Sequence, residues 1–320
     1  MTRVLVWAEE SRGSITSNSL ELLGLGQRLA NGDPVSAVML SDAPAVLTDE
    51  LIASGADRVY LVKDKQSDEF HPDVAVHDLS HALHCVAPEI MLLPHSDYGA
   101  ELGPRIAFRE KLAVGTGCSD IDIVEGRFRL TRSCYGGKAQ AVVTFRNGPG
   151  VATVRPKTQI LPDADTSRRG EVSHLNLEDR PAHRIRVRKK HREVAEGPRL
   201  EDAAVIIAGG RGLGGAAGFE KLEELAQALG GVVGASRPAC DMGWYPHSHQ
   251  IGISGRTVAP ELYIAVGISG ADHHLAGCSR SKLIVAINND PDANIFKYAD
   301  VGIVVDYSEL VAEVIADLLD

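Results

Sequence analysis

Small and polar residues recur just after apolar runs in the last third of the chain. One apolar run, residues 262–266, ends in the turn Gly-Ile-Ser-Gly at 267–270, and a second run covers residues 283–287. A helix-compatible stretch, residues 271–278, lies between them, so the pattern predicts a strand, a glycine turn, a helix and another strand. Glycine allows a backbone to approach a ligand closely, and a helix N-terminus favours anionic groups. The segment therefore indicates a site for a phosphate-bearing ligand.

Five predicted strands in this part of the chain end in residues that can bind or carry charge. In open parallel sheets, ligands bind beyond the carboxyl ends of the strands. The residues that follow the five strands are Arg211, Ser236 with Arg237, Ser269 with His273 and His274, Asn288, and Asp306. Their convergence at one sheet edge makes a nucleotide-sized ligand the default hypothesis.

The loop that contains Arg211 does not fit the usual dinucleotide fingerprint. Residues 209–215 read Gly-Gly-Arg-Gly-Leu-Gly-Gly, whereas the fingerprint is Gly-x-Gly-x-x-Gly. An arginine in such a loop suits bidentate contact with phosphate. The alternative is a glycine-rich turn with a solvated arginine.

For Arg237 and for His274, a purely structural explanation is also available, and a group of two histidines and an aspartate raises the question of a metal. Arg237 is four residues before Asp241 and could pair with it at the surface. His274 could cap its own helix. His247 and His249, taken together with Asp241, suggest a metal, but the segment lacks convincing third and fourth ligands, and we predict no metal site.

Several sequence blocks, in order along the chain, resemble the C-terminal part of the electron transfer flavoprotein alpha subunit. The blocks are AGGRGL at 208–213, VGASRPACDMGW at 233–244, LYIAVGISGA at 262–271, HLAG at 274–277 and IVAIN at 284–288. A lone Gly-x-Ser-Gly turn would be weak, but five ordered blocks are specific. A looser similarity covers the rest of the chain.

The resemblance implies an FAD-binding alpha subunit of an obligate heterodimer with an electron transfer flavoprotein beta subunit. Such a protein accepts electrons from a flavin dehydrogenase and passes them to a quinone reductase or another acceptor. It is an electron carrier rather than an enzyme that converts a substrate with its own side chains. Some family members bifurcate electrons from NADH with a second FAD in the partner, and that alternative stays open.

The resemblance also implies roles for individual residues. Arg211 matches a contact of the FAD diphosphate, and Arg237 an arginine that favours the negatively charged, reduced isoalloxazine. Ser254 matches a hydroxyl residue near flavin N5, and His274 matches a histidine near carbonyl O2. The residues implied to bind FAD are Arg211, Ser236, Arg237, Ile251, Gly252, Ile253, Ser254, Ser269, Gly270, Ala271, Asp272, His273, His274, Asn288, Asp306 and Tyr307, with Asn288 and Asp306 at the adenosine end.

The chain departs from the family pattern at three of these positions. Asp272 and His273 stand where the family has Ile-Gln, and Ile253 stands where glutamine is common. The departures affect the expected flavin potential more than flavin binding. Two rival functions stay open: an α/β enzyme that binds NAD or ATP at the same strand ends, and a structural partner that has lost its flavin.

The length and patterning of the chain predict two α/β domains. Residues 1–197 alternate strands with helices, which indicates a parallel sheet, and strand candidates at 121–124, 128–134, 139–145 and 151–154 indicate an antiparallel extension. An alternating Arg- and Lys-rich stretch, residues 183–190, predicts an exposed edge strand, with a basic recognition strip as the alternative. Residues 198–320 predict a doubly wound, Rossmann-like domain, and the family resemblance implies that this domain binds FAD.

The composition of the chain argues against several classes of function. The net charge of −10 argues against general nucleic-acid binding. No apolar run approaches the ~20 residues that span a bilayer, and the start of the chain has the pattern of a strand rather than a signal, so we expect a cytoplasmic protein without membrane insertion. The five cysteines lack any Cys-x-x-Cys spacing, which favours reduced core thiols.

Overall fold

The chain divides into two compact units, residues 1–190 and 191–320, and each unit has its own sheet. The structure, a computed structural model, describes residues 2–11, 13–62, 71–135, 139–145, 148–175, 177, 180–181, 188–189 and 199–319. The predicted α/β fold with two domains is confirmed. The predicted boundary between residues 197 and 198 stays a prediction, since residue 198 and those just before it lie outside the described residues, as does most of the edge strand predicted at 183–190.

The described part of the first unit contains a nine-stranded sheet, a small antiparallel pair and four α-helices. The strands are β1 (Val4–Trp7), the pair β2 (Glu10–Ser11) and β3 (Ser14–Ile15), β4 (Val35–Met39), β5 (Arg58–Leu61), β6 (Ile90–Pro94), β7 (Ala113–Val124), β8 (Arg127–Cys134), β9 (Ala139–Thr144), β10 (Gly150–Val154) and β11 (Glu171–His174). The helices are α1 (Ser17–Ala30), α2 (Ala45–Ala53), α3 (Pro72–Val86) and α4 (Asp97–Glu110). The sheet order is β11-β5-β4-β1-β6-β10-β7-β8-β9.

The parallel strands of the first unit are buried on both faces. Along β1, Val4 and Val6 pack into one core cluster with residues of α1 and α2. The alternate residues Leu5 and Trp7 pack into a second cluster with residues of α3 and α4. Burial on both faces explains why these strands are continuous apolar runs. Helix α4 was not predicted from the sequence; it contains Pro104, a residue that usually disfavours a helix interior.

The antiparallel extension is formed by β7, β8 and β9, as predicted. The prediction was wrong for residues 151–154, because β10 lies parallel between β6 and β7. All five residues of β10 are buried, which is typical of a strand inside a sheet rather than at its margin. Strand β7 is also longer than predicted: its first half pairs with β10 and its second half with β8.

The second unit is a doubly wound, fully parallel sheet, as predicted. Its strands are β12 (Val205–Gly209), β13 (Val232–Ser236), β14 (Gln250–Ile251), β15 (Leu262–Val266), β16 (Leu283–Asn288) and β17 (Val301–Val304), and its helices are α5 (Ala217–Ala228), α6 (Arg237–Asp241), α7 (Asp272–Leu275) and α8 (Tyr307–Leu319). The order β14-β13-β12-β15-β16-β17 places the first and fourth strands of the unit side by side at the centre. This is the Rossmann order, whose switch point lies between β12 and β15.

Each face of the second sheet has its own core. Residues of α5 and α8, including Phe219 and Val311, pack on one face. The other face is covered by shorter segments that contribute Val258, Leu275 and Ile295. Helix α7 is one of these segments, and it ends at Leu275 rather than continuing through residue 278 as predicted.

Candidate functional site

A cavity of about 620 Å³ lies at the carboxyl ends of the strands in the second unit. Gly212, just after β12, and Gly267, just after β15, are among its walls, so the cavity is at the switch point of the sheet. This is where doubly wound folds bind ligands. The structure brings most of the predicted site residues to this cavity: Arg211, Ser236, Arg237, Ile251, Gly252, Ile253, Ser254, Ser269, Ala271, His273, His274 and Asn288.

Gly270 and Asp272 are not among the lining residues of this cavity. Gly270 has a φ of +80°, and a Cβ there would lie 2.3 Å from the backbone nitrogen of Ile295. Its glycine is therefore required by backbone packing. Asp272 is the first residue of α7, where a carboxylate is favourable.

Asp306 and Tyr307 also lie away from the cavity lining. The Asp306 carboxylate accepts hydrogen bonds from the Ser308 backbone nitrogen at 2.9 Å and the Ser308 hydroxyl at 2.7 Å. These bonds hold the pKa of Asp306 below its ordinary value. The Tyr307 hydroxyl donates to the Leu213 carbonyl oxygen at 3.0 Å. Both side chains thus organise the start of α8 and its contact with the loop after β12.

Several lining residues were not predicted from the sequence. They are Gly212, Pro238, Gly267, Ile268, Asp290 and Ala293. Most of them lie inside or next to the sequence blocks that carry the family resemblance, so adjacency was an available signal. Ala293 had no such signal, because its position depends on how the chain returns after β16.

Two glycine loops pack backbone to backbone beside the cavity. The Gly212 nitrogen donates to the Gly267 carbonyl oxygen at 2.9 Å, and the Gly210 nitrogen donates to the Val266 carbonyl oxygen at 2.8 Å. A Cβ at Gly212 would lie 2.7 Å from the Gly267 Cα, and one at Gly210 would lie 2.1 Å from the Gly267 oxygen. The glycines of this unusual loop are therefore needed for contact between β12 and β15 ends.

A second wall is formed by the segment after β14, which is held against α7. The Ile253 nitrogen donates to the His273 carbonyl oxygen at 2.7 Å. Gly252 has a φ of +138°, and a Cβ at Gly277 would lie 2.4 Å from the Gly252 nitrogen. Position 277 therefore has to be a glycine, because a side chain there would collide with the backbone of Gly252. The Ile253 side chain is 65% exposed at the cavity rim.

His274 is buried and contacts the sheet below it. Its Nε2 atom lies 2.8 Å from the hydroxyl of Tyr263, while its Nδ1 atom is buried without a hydrogen-bond partner in the described residues. Burial lowers the pKa of His274 to about 4, and a weak contact with the backbone of Ile251, which falls short of a hydrogen bond, partly opposes that shift. The ring is therefore neutral near pH 7. Among the described residues, the imidazole contacts Tyr263 on β15 and no backbone group of α7, so the self-capping alternative for His274 is wrong.

A second unpartnered polar atom lies on the same cavity. The hydroxyl oxygen of Ser236, at the end of β13, is buried and has no hydrogen-bond partner in the described residues. Buried polar atoms almost always have a partner in native proteins. The hydroxyl of Ser236 and Nδ1 of His274 therefore fit a ligand with polar atoms of its own.

The two predicted arginines lie at the cavity rim. Arg237 pairs with Asp241 at 3.3 Å, so the surface-pair alternative is present in the structure, although Arg237 also lines the cavity. Arg211 is exposed and makes no side-chain hydrogen bond or ion pair with the described residues. Two guanidinium groups at the rim favour an anionic ligand.

The polar side chains of Asn288 and Ser254 brace the cavity walls. The Asn288 amide nitrogen donates to the Ile268 carbonyl oxygen at 2.9 Å, and its amide oxygen accepts from the Asp290 nitrogen at 3.0 Å. Ser254 Oγ accepts from the side-chain nitrogen of Gln250 at 3.0 Å. Asn288 therefore ties the ends of β15 and β16 together.

The described residues contain no group of three or more metal-ligating side chains. His247 contacts the side-chain oxygen of Gln250 at 3.3 Å, and His249 contacts the carbonyl oxygen of Val233 at 2.8 Å. Both histidines thus have protein partners. Within the same part of the chain, no helix is both long and apolar enough to cross a bilayer.

The fold and cavity define a two-domain α/β protein with a ligand-sized cavity at the switch point of its second, Rossmann-ordered sheet. Residues 4–180 match the electron transfer flavoprotein domain, and residues 199–279 match the electron transfer flavoprotein FAD-binding domain. The chain belongs to the electron transfer flavoprotein alpha-subunit family. The match to the FAD-binding domain supports flavin binding.

Relatives align over nearly the whole chain. An electron transfer flavoprotein subunit alpha of Thermoanaerobacterium thermosaccharolyticum is 38% identical, covering 98% of this chain and 97% of that protein. The protein of the same name from Bacillus subtilis is 35% identical, covering 97% and 95%. Protein FixB of Clostridium saccharobutylicum is 35% identical, covering 98% and 95%. The family resemblance carried by the sequence blocks is confirmed.

Proposed function

We propose that this chain is the FAD-binding alpha subunit of a heterodimeric electron transfer flavoprotein. It accepts electrons from a flavin dehydrogenase and passes them to a quinone reductase or another acceptor. The observation that carries the proposal is the switch-point cavity within the matched FAD-binding region, where His274 Nδ1 and Ser236 Oγ are buried without partners.

Bound FAD would supply the electron-transfer chemistry, and the chain supplies binding, orientation and charge. Arg211 offers a planar guanidinium to a diphosphate. Arg237 and His274 place a cation and an N–H donor beside the cavity, where they favour whichever form of a bound group carries more negative charge. Ser254, held by Gln250, offers a hydroxyl at the same wall.

The three residues that depart from the family pattern differ in whether they line the cavity. His273 lines the cavity, as does the exposed Ile253. Asp272 does not line it. The negative charge of Asp272 would oppose the effect of Arg237 on a bound anionic group, but its carboxylate is not part of the cavity wall. These positions tune the flavin potential rather than decide whether flavin binds.

We further propose that a beta subunit covers the cavity in an obligate heterodimer. The relatives are named as alpha subunits, which supports a partner chain. Ile253 and Arg237 are both more than half exposed at the cavity rim, so a covering surface would bury an apolar side chain and shield a charge. Electron bifurcation with a second FAD in the partner is the alternative within the same family, and cytoplasmic location is part of the proposal.

The test is co-purification with the chain encoded beside this one, followed by a visible absorption spectrum and a flavin-to-protein ratio. We expect a yellow complex with a ratio for this chain near unity. A well-folded complex that contains no flavin and cannot be reconstituted with FAD would overturn the proposal. An NAD- or ATP-binding enzyme would give that colourless result.

The assembly is tested by light scattering of the chain made alone and with its partner. We expect the isolated chain to be poorly behaved or to lose FAD, because the rim of the cavity lacks its cover. A stable, fully flavin-loaded monomer would contradict an obligate heterodimer.

A further inference from the structure

Tyr263 lies directly beneath His274, in the central strand β15. Its side chain is fully buried, and its hydroxyl is 2.8 Å from Nε2 of the imidazole. Burial raises the pKa of Tyr263 well above its ordinary value, so the hydroxyl keeps its proton. A buried hydroxyl proton requires an acceptor, because a buried donor without a partner has lost its hydrogen bonds to water and gained none in return.

Two acceptors compete for that proton, the Nε2 atom of His274 and the thiol of Cys278. A thiol sulfur is a weak acceptor, whereas an unprotonated imidazole nitrogen is a strong one. The Cys278 sulfur donates to the His274 carbonyl oxygen at 3.7 Å. Burial raises the pKa of Cys278 to about 12, so it stays a neutral thiol. The Tyr263 hydroxyl therefore donates to Nε2.

A neutral imidazole carries one N–H, and a ring that accepts at Nε2 must carry it on Nδ1. Nδ1 is the buried atom without a partner in the described residues, and His274 lines the cavity. We propose that Tyr263 is a positioning residue that holds His274 as the Nδ1–H tautomer, so that a neutral ring presents an N–H donor to the group bound in the cavity. The identity of that group as FAD rests on the proposed function, whereas the tautomer does not.

The tautomer is read by NMR of the co-purified complex labelled with ¹⁵N-histidine. Long-range ¹H–¹⁵N correlation spectra distinguish a protonated from an unprotonated ring nitrogen, and the His274 signals are assigned by their loss in His274→Gln. Spectra are recorded with the complex as purified and after removal of flavin. We expect the Nδ1–H pattern in both forms.

Tyr263→Phe removes the hydroxyl and keeps the ring. We expect the single Nδ1–H pattern to be lost and the flavin midpoint potential to fall, with flavin still bound. Tyr245→Phe is the matched control, because its hydroxyl donates to Glu223 at 3.2 Å and does not touch His274. The control should leave both readouts unchanged.

An Nε2–H pattern in the unmodified protein overturns the proposal, and this outcome is available even if Tyr263→Phe does not fold. An unchanged tautomer in folded Tyr263→Phe also overturns it. A complex that shows the Nδ1–H pattern but never binds flavin would overturn the proposed function and leave the role of Tyr263 intact.

Discussion

Arg237 Nε lies 3.3 Å from a carboxylate oxygen of Asp241, one turn further along α6, and the two side chains are 66% and 52% exposed. Exposed pairs of this kind contribute roughly 0–1 kcal/mol, so the pairing does little to hold Arg237 in place. The same arginine lines the cavity. The charge that a bound group experiences there is therefore that of Arg237, reduced by its neighbour Asp241.

Replacing Arg237 with alanine should lower the flavin midpoint potential by some tens of millivolts, where a tenfold change in a one-electron equilibrium is about 59 mV. The physical reason is the loss of a cation beside a group that gains negative charge on reduction. Asp241→Asn should shift the potential in the opposite direction. Potentiometric titration of the complex measures both.

Arg105→Ala is the control for this prediction. Arg105 forms a comparable pair with Glu101, at 2.9 Å and with the same four-residue spacing, but it does not line the cavity. The Arg105→Ala variant should therefore leave the flavin midpoint potential unchanged. Equal potentials in all three variants would show that Arg237 does not influence the flavin.

The effect of an aspartate on the flavin midpoint potential should depend on whether its side chain lines the cavity. Asp290 lines the cavity, and Asp272 does not. We expect Asp272→Ile and Asp290→Asn each to raise the flavin potential, and the second to raise it more. A larger effect at Asp272, in the same potentiometric titration, would argue that the carboxylate at the start of α7 approaches the flavin more closely than the cavity lining indicates.

The glycine contact between the ends of β12 and β15 predicts a difference between two Gly→Ala changes. Gly212→Ala places a Cβ 2.7 Å from the Gly267 Cα, whereas Gly215→Ala meets nothing within 4 Å. Overpacking of this kind typically costs 1–3 kcal/mol. Thermal unfolding should show a clearly lower midpoint for Gly212→Ala and little change for Gly215→Ala, and only the first should reduce flavin content. A fully stable, flavin-loaded Gly212→Ala protein would argue against this account of the loop.

Stability should fall in acid partly because of His274. Its pKa drops from an ordinary value of 6.5 to about 4 on folding, so the unfolded chain binds the proton more readily between these values. As pH falls from 6.5 towards 4, this one group should remove on the order of 3 kcal/mol of unfolding free energy. Denaturant unfolding at several pH values, with and without His274→Gln, measures the contribution.

His274→Gln should flatten the pH dependence across that window even if it lowers stability overall. His273→Gln, at the exposed neighbouring position, is the control and should keep the slope of the unmodified protein. An identical slope in the unmodified and His274→Gln proteins would show that the buried imidazole is not a source of acid sensitivity.

Much of the second unit was predictable because its signals are local. Each strand is a short apolar run that ends in glycine or a polar residue, and that pattern follows from burial of both sheet faces and from ligand binding at the carboxyl edge. The predicted strands and the residues at their ends, such as Arg211, Ser236 and Asn288, depend only on such neighbouring residues. The segment of residues 251–254 was assigned to the site by the family resemblance and not by a local pattern. Asp306 and Tyr307 also follow a strand end, but their side chains organise α8 instead.

By itself, the sequence determined the family, the two-domain α/β class and the glycine and polar positions at the strand ends. Only the tertiary structure decided that β10 inserts between β6 and β7, that Gly212 must stay bare against Gly267, and that the Tyr263 hydroxyl lies under His274. These relationships join residues that are distant along the chain or on different elements. Their energies come from burial and close packing, which no local periodicity records.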